Sequence, residues 1–345
     1  MMNIHTEQLR GRVGIIDCFR FIFIILIVCH HSVFYGCNKF LSGYIGVEFF
    51  YIVSGWLFAK SCFAGKKTDI FYFLYHKIKG FYQEFLIATI TGFILMSLFD
   101  RDVHAHWLIN FVYWISDIFL LQIWGFPTLS ATGVSWFLSA MIGSLCILGP
   151  IGLSHPRGLS FYAFPMVISL YGFLSINYGS LSPILQPVAG GLIHAGLLRA
   201  IADMLTGYLS YALSAKLSSS DLSKNKTKIL EILEWGGYLT SLYLIFRMNG
   251  PTQIDFLIVL LLAISITISF SQVTKTSHIH GAFCDKLGKY SLNIYLSHGC
   301  IGLIFGKLAM PQHYGMAETF IIYISLTIIL SIINNRLSHF LRKAI

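Results

Sequence analysis

Asp17, Arg20, His30 and His31 sit inside IIDCFRFIFIILIVCHHSVFYG, residues 15–36, a stretch otherwise as apolar as a membrane helix. An ionisable side chain within hydrocarbon is costly unless it is paired or faces water, so such groups mark a candidate functional site. On a helix, Arg20 and His31 point within about 20° of each other. Asp17, three residues before Arg20, lies on nearly the same side, whereas His30 points about 100° away. Asp17, Arg20 and His31 thus form one polar stripe rising about 16 Å from Arg20 to His31. The stripe reads as the lining of a substrate passage; internal pairing that only knits helices together is the competing reading. For His30, a satisfied interhelical or interfacial histidine is the simpler account.

A second apolar stretch, GYIGVEFFYIVSGWLFAKS at 43–61, adds an acid, Glu48. A carboxylate beside an imidazole raises its basicity and fixes its tautomer, so Glu48 with His31 makes a candidate acid–base pair. That expectation places Glu48 at the depth of His31. Ser54-Gly55 reads as a close helix contact rather than a nucleophile, because no GxSxG elbow surrounds the serine.

The elements that must hold these residues are membrane helices. Of 345 residues, 56% are hydrophobic and only 11% charged, with a mean hydropathy of +0.71; a soluble chain carries about 25% charged residues. The net charge of +9 follows from lysine and arginine collecting on cytoplasmic loops. Nucleic acid is excluded as a partner, since no basic stretch is interleaved with stacking aromatics. The seven cysteines are scattered, lack a CxxC pair, and read as buried thiols rather than a disulfide framework or zinc site; no metal is expected.

Apolar segments fall near 13–33, 44–63, 80–99, 107–124, 134–153, 159–176, 195–214, 229–247, 253–272, 290–308 and 317–336. Arg10 and Arg12 place the N-terminus inside, and Lys66, Lys67, Lys77 and Lys79 do the same for the loop at 64–79. KLSSSDLSKNKTK at 216–228, the 273–289 stretch and the tail are cytoplasmic by the same rule. An odd number of crossings must then separate the outer DRDVHAHW at 100–107 from the 216–228 loop, so one of four segments does not span. Segment 107–124, with Asp117, Gln122 and several aromatics, is assigned to the interface. The expected fold is all-α: a polytopic membrane helix bundle of about ten transmembrane helices plus one interfacial helix, both termini cytoplasmic, in a single domain over 1–345.

At this point the motifs resemble those of the integral-membrane acyltransferase 3 family. Its signature is an Arg, ten residues and a His in the first helix, matched by Arg20 and His31. A G-[VI]-[DE]-x-F-F-x-x-S-G stretch follows, matched by Glu48, Phe49, Phe50, Ser54 and Gly55. SWFLSAMIG with Trp136, LRAIADMLTGYL with Arg199, Met204 and Gly207, and LGKYSLNIYLSHGCIG with Ser291, Tyr295, Leu296 and His298 are similar to its later landmarks. The chain departs from it after the second helix, where HKIKGFYQEF replaces an R-x-x-R-[IL]-x-P stretch: Lys77 and Lys79 keep charge but lose bidentate phosphate recognition.

The resemblance implies a multi-pass enzyme of the bacterial cytoplasmic membrane. It would move an acyl group, usually acetyl from acetyl-CoA, onto a hydroxyl of a sugar in a cell-surface polysaccharide or glycolipid. No metal cofactor is implied, and the partners would be acyl-CoA, a glycan acceptor and membrane lipid; the oligomeric state stays open. On this reading His31 is general base or transient acyl carrier and Glu48 orients it. Asp17, Arg20, Lys77 and Lys79 form the CoA-binding mouth, and Trp136, Arg199 and His298 are candidates for the acceptor or an oxyanion. Arg199 has a purely structural alternative, an ion pair with Asp203 one turn on. The rival function is a transporter or exporter of a sugar or organic acid, although neither inverted repeats nor matching Gly/Pro-broken helices are evident.

Overall fold

The computed structural model describes residues 13–64, 68–276 and 282–344. Arg10, Arg12, Lys66 and Lys67, and the side chains of Lys286, Lys289, Arg342 and Lys343, lie outside what it describes. The helices are α1 (Gly14–His30), α2 (Gly46–Phe63), α3 (Ile70–Lys79), α4 (Tyr82–Phe99), α5 (Arg101–Ala105), α6 (Trp107–Ile118) and α7 (Trp136–Ser154). They continue with α8 (Pro156–Tyr178), α9 (Ala195–Ser218), α10 (Lys224–Arg247), α11 (Ile254–Ser271), α12 (Ala282–Lys307), α13 (Met310–Tyr314) and α14 (Met316–Ala344). The strands β1 (Pro187–Val188) and β2 (Ile193–His194) pair antiparallel just before α9. The chain is an all-α polytopic bundle.

Among the described residues, eight helices are long and apolar enough to cross a membrane: α1, α2, α4, α7, α8, α10, α11 and α14. The helices α9 and α12 are more polar and are not among them. Both are long, and both bury polar groups on the bundle axis: Arg199, Asp203, Ser210 and Ser214 on α9, and Ser291, Asn293, Ser297 and His298 on α12. α9 lies along α2, and α12 lies between α1 and α14. The start of α1 and the end of α14 share one face of the bundle. Tyr323 reaches the outer half of α1 through its hydroxyl on the Val28 carbonyl (3.0 Å), whereas Asn335 meets Asn293 (3.3 Å), on the turn of α12 that carries Ser291.

The segment at 107–124 does not cross, but neither does it lie flat in the interface. α6 doubles back along α4: Phe111 packs on Phe93, Trp114 Nε1 donates to the Thr89 carbonyl (3.1 Å), and Tyr82 donates to the Ile118 carbonyl (3.2 Å). The chain then runs as irregular backbone from 119 to 135, buried at Leu120, Gln122, Ile123 and from Ala131 on, with Phe119 and Phe126 exposed. Non-helical backbone survives at membrane depth only where protein satisfies its polar groups. Here the fully buried Asp117 accepts the Ala131 amide (2.9 Å), Tyr295 donates to the Val134 carbonyl (2.9 Å), and Ser139 donates to the Leu120 carbonyl (2.5 Å). The Thr132 carbonyl occupies the space that a Cβ at Gly299 would need. Asp117 and Gln122, the polar residues that suggested an interfacial helix, are thus the anchors of a re-entrant segment.

The closest helix crossing is α2 on α9. Cβ atoms at Gly55 and Gly207 would collide with the Met204 and Ile52 carbonyls of the facing helix. Small residues let backbones approach this closely where apolar packing gains nothing over lipid. Ser54 Oγ meets Met141 Sδ at 3.7 Å, a packing contact. Cys29, Cys37, Cys62, Cys146 and Cys300 are free thiols as expected, but Cys18 is disulfide-bonded, which corrects the reading of all seven as thiols.

Candidate active site

His31 is the first residue beyond α1, where the backbone tightens into a 3₁₀ turn over His31–Tyr35 that Gly36 ends with φ +89°. The Nδ1 atom of His31 lies 2.9 Å from the Ile27 carbonyl and 3.0 Å from Nε2 of His298 on α12. A carbonyl only accepts, so Nδ1 of His31 carries the hydrogen, which faces both the carbonyl and His298. His298 Nδ1 lies 3.3 Å from the Ile294 carbonyl, so it too carries its hydrogen there and leaves Nε2 to accept. The consequence is chemical. Nε2 of His31 keeps its lone pair, and a second imidazole stands ready to share the proton on the other nitrogen.

The neighbouring His30 is turned elsewhere. Its Nδ1 reaches the Phe40 carbonyl (3.1 Å), and its ring packs against Tyr44. The two adjacent histidines therefore separate into one facing the bundle interior and one holding an outer loop.

Glu48 does not meet His31. It is fully buried and forms an ion pair with Arg199, whose Nε donates to Glu48 Oε1 at 2.6 Å. The reason is register. α2 descends beside α1 so that Gly43 faces Leu26 and His30 while Gly46 faces Phe23 and Ile27. By residue 48 the chain is about two turns below the imidazole. Arg199 also donates to the Tyr44 carbonyl (3.2 Å), and its guanidinium lies 5.9 Å from the Tyr44 ring and 5.8 Å from the Trp136 ring. Its pair is across helices rather than with Asp203, which instead accepts from Tyr171 (2.6 Å). Tyr44 in turn donates to Asp255 on α11 (2.7 Å). Glu48, expected beside His31, joins Trp136 and Arg199 in one clasp linking α2, α7 and α9.

Asp17 and Arg20 pair as their spacing implied, Arg20 Nη1 donating to Asp17 Oδ1 at 3.1 Å. The guanidinium borders a cavity of about 180 Å³ between α1, α2, α7 and α12, with Ile24, Val47, Phe50, Phe137, Ser291, Leu292 and Tyr295 as its other walls. The cavity leads from Arg20 to Tyr295, whose ring centroid is 5.5 Å from that of His298. Arg20 and the His31–His298 pair thus stand at two levels of the bundle, the largely apolar cavity reaching from the first to Tyr295 beside the second. Lys77 and Lys79 are not in that wall. Lys77 packs its ammonium over Phe73, Lys79 over Tyr75, and burial depresses the Lys77 pKa.

His298 was expected to bind acceptor or oxyanion; its Nε2 is instead committed to His31. No signal in one sequence pairs residues 267 positions apart. Glu234, fully buried on α10, is another acid with no local sequence signal: it accepts from Ser269 (2.6 Å) and Thr274 (2.7 Å) and ties α10 to the end of α11. Among the described residues no cluster of His, Cys, Asp or Glu is arranged to hold a metal ion.

A family model described as an acyltransferase domain, that of acyltransferase 3, matches residues 13–335. No curated protein and no solved structure matches the chain.

Proposed function

The chain belongs to the acyltransferase 3 family and is a multi-pass membrane acyltransferase, and from that premise we propose that it transfers acetyl from cytosolic acetyl-CoA to a hydroxyl of a cell-surface polysaccharide or glycolipid sugar. The bacterial cytoplasmic membrane is the proposed location. The observation that carries the reading is the contact of His31 with His298, inside the bundle beyond a cavity that begins at Arg20 and ends at Tyr295.

This arrangement supplies what a thioester from the cell interior needs. Arg20, held by Asp17, offers a fixed cation to the CoA phosphates. The apolar walls of the adjoining cavity suit the pantetheine arm. At the upper level, Nε2 of His31 removes the proton of the acceptor hydroxyl as its oxygen attacks the thioester carbonyl. The C–O bond forms, the C–S bond breaks, and the leaving thiolate takes the proton from the imidazolium. His298 accepts the hydrogen bond from Nδ1 throughout, so it holds the tautomer and stabilises the transient positive charge. That is the service expected of Glu48, rendered by a neutral ring rather than a buried carboxylate. Lys77 and Lys79 are left to the membrane surface, where they attract the anionic donor without gripping it.

The test is transfer of labelled acetyl from acetyl-CoA in membranes carrying His31→Ala, with His30→Ala as the adjacent control. Loss in the first and retention in the second is expected; unchanged transfer in His31→Ala refutes the assignment. Exchange or hydrolysis of acetyl-CoA by the purified protein separates this reading from a transporter, which does neither.

A further inference from the structure

On the opposite flank, α8, α9, α10 and α11 leave a fissure of about 710 Å³. Its walls are almost wholly apolar, including Val167, Leu209, Leu213, Leu233 and Val259. Several lining side chains stay open to the bundle's surroundings: Phe164 is 63% exposed, Leu213 56% and Leu260 56%. α8, α10 and α11 are all membrane-spanning by length and composition, so hydrocarbon rather than water must fill the space between them. Along α11 the lining runs from Phe256 to Ile268, which is about 18 Å. Half the hydrocarbon thickness of a bilayer is about 15 Å. The fissure therefore has the length of one acyl chain.

One end of it is not apolar. Lys216, in the last turn of α9, and Ser220, in the loop at 219–223, close the fissure, and Lys224, Lys226 and Lys228 follow at the start of α10. Ser219 and Ser220 turn their hydroxyls onto the Lys216 carbonyl (3.0 and 2.7 Å), fixing the backbone from which the lysine projects. Among the described residues Lys216 has no ion-pair partner. A cation without a counter-ion, at the polar end of a slot one acyl chain long, complements a lipid whose headgroup is anionic.

We propose that this fissure is a binding site for an anionic phospholipid of the cytoplasmic leaflet, with one acyl chain between α8, α10 and α11 and its phosphate on Lys216. The site is independent of the acyl-transfer reading, since it shares no residue with the cavity at Arg20 or with the His31–His298 pair.

The experiment is native mass spectrometry of the full chain, taken from nanodiscs containing equal phosphatidylglycerol and phosphatidylcholine. Wild type retains one phosphatidylglycerol per chain. Lys216→Glu lowers the preference for phosphatidylglycerol at least about fivefold, the contribution of one lysine at a membrane surface, since it also adds a negative charge. Leu213→Trp, which fills the slot from its exposed side, and Ala263→Trp, which fills it from its floor, abolish retention of either lipid. Ile329→Trp, on the lipid face of α14, changes nothing. Equal retention of the two lipids by wild type, undiminished preference in Lys216→Glu, or undiminished retention in a folded Leu213→Trp protein each overturns the proposal. Selective retention of a polyprenyl phosphate in place of phosphatidylglycerol, when both are supplied, also overturns it.

Discussion

Two polar clusters lie inside the same bundle and are built on opposite plans. The Glu48–Arg199 cluster is an ion pair sealed on every side, with Arg199 1% exposed between the Tyr44 and Trp136 rings and the α2–α9 crossing beneath it locked by Gly55 and Gly207. The His31–His298 cluster holds no charge partner. Two neutral rings share one hydrogen, one ring nitrogen of His31 is uncommitted, and His31 remains only half-buried. A full charge within a membrane protein has to be compensated, and here Nε and Nη2 of Arg199 are held by Glu48 and the Tyr44 carbonyl while Nη1 is buried without a hydrogen-bond partner. A neutral imidazole escapes that demand and keeps a lone pair for chemistry. The difference teaches that, of the two clusters, the uncharged one is equipped to react and the charged one to hold.

The largest effect that tests this contrast is at His31. Its replacement by alanine removes the base and lowers acetyl transfer by about 10²–10⁴-fold, the usual range for a positioned acid–base group. Transfer rates at saturating acetyl-CoA, normalised to folded protein, provide the check. Arg199→Met is expected to act on stability instead. It strands Glu48 without its counter-charge, at a cost of about 3–5 kcal/mol, and a companion Glu48→Gln recovers most of it. Thermal unfolding in detergent reads both. Were Arg199→Met as stable as wild type yet inactive, the clasp reading would fail and Arg199 would return to the substrate-binding role that the family resemblance implies.

A smaller loss, about 10²-fold in kcat with KM for acetyl-CoA unchanged, is expected for His298→Ala. A positioning role makes two further demands. The pH–rate profile must shift, because His31 loses the acceptor that stabilises its protonated form, and His298→Asn must restore part of the rate through its amide oxygen. Loss of activity with an unmoved profile and no rescue by asparagine would make His298 a packing residue.

His31 and Glu48 were legible because each is an ionisable group where the local sequence is apolar, whereas Arg199 and His298 stood out only through the family resemblance. Helical geometry then ordered Asp17, Arg20 and His31 correctly, since all three lie on one continuous segment. What was not legible was the partner. Glu48 was assigned to His31 from sequence proximity and an assumed matching depth, but the antiparallel offset of α1 and α2 carries it about two turns away, to the level of Arg199. The His31–His298 contact depends on α12 lying against α1, which follows from the packing of the whole bundle and not from any local pattern. The re-entrant passage from 119 to 135 was hidden for a related reason. Its stability rests on Asp117, Gly299 and Tyr295, distant residues that satisfy its backbone, whereas hydropathy registers only that the segment is apolar and aromatic.

The smallest effect is the one that best locates the donor. Arg20 lies at one end of the cavity with its guanidinium steered by Asp17, so its contribution is to binding rather than to the chemical step. Arg20→Gln is expected to raise KM for acetyl-CoA about tenfold, the worth of one charge-assisted hydrogen bond, with kcat little changed. Arg20→Lys should raise it only about threefold, because charge survives while the two-pronged geometry is lost. Asp17→Asn separates electrostatics from aim: it removes the Asp17 counter-charge, which strengthens attraction to an anion but loosens the hold on the side chain. If aim matters more, KM rises in Asp17→Asn despite the gain in positive charge. If KM instead falls, Asp17 serves only to make Arg20 tolerable within the membrane, and the phosphate grip must be sought in the lysines of α3.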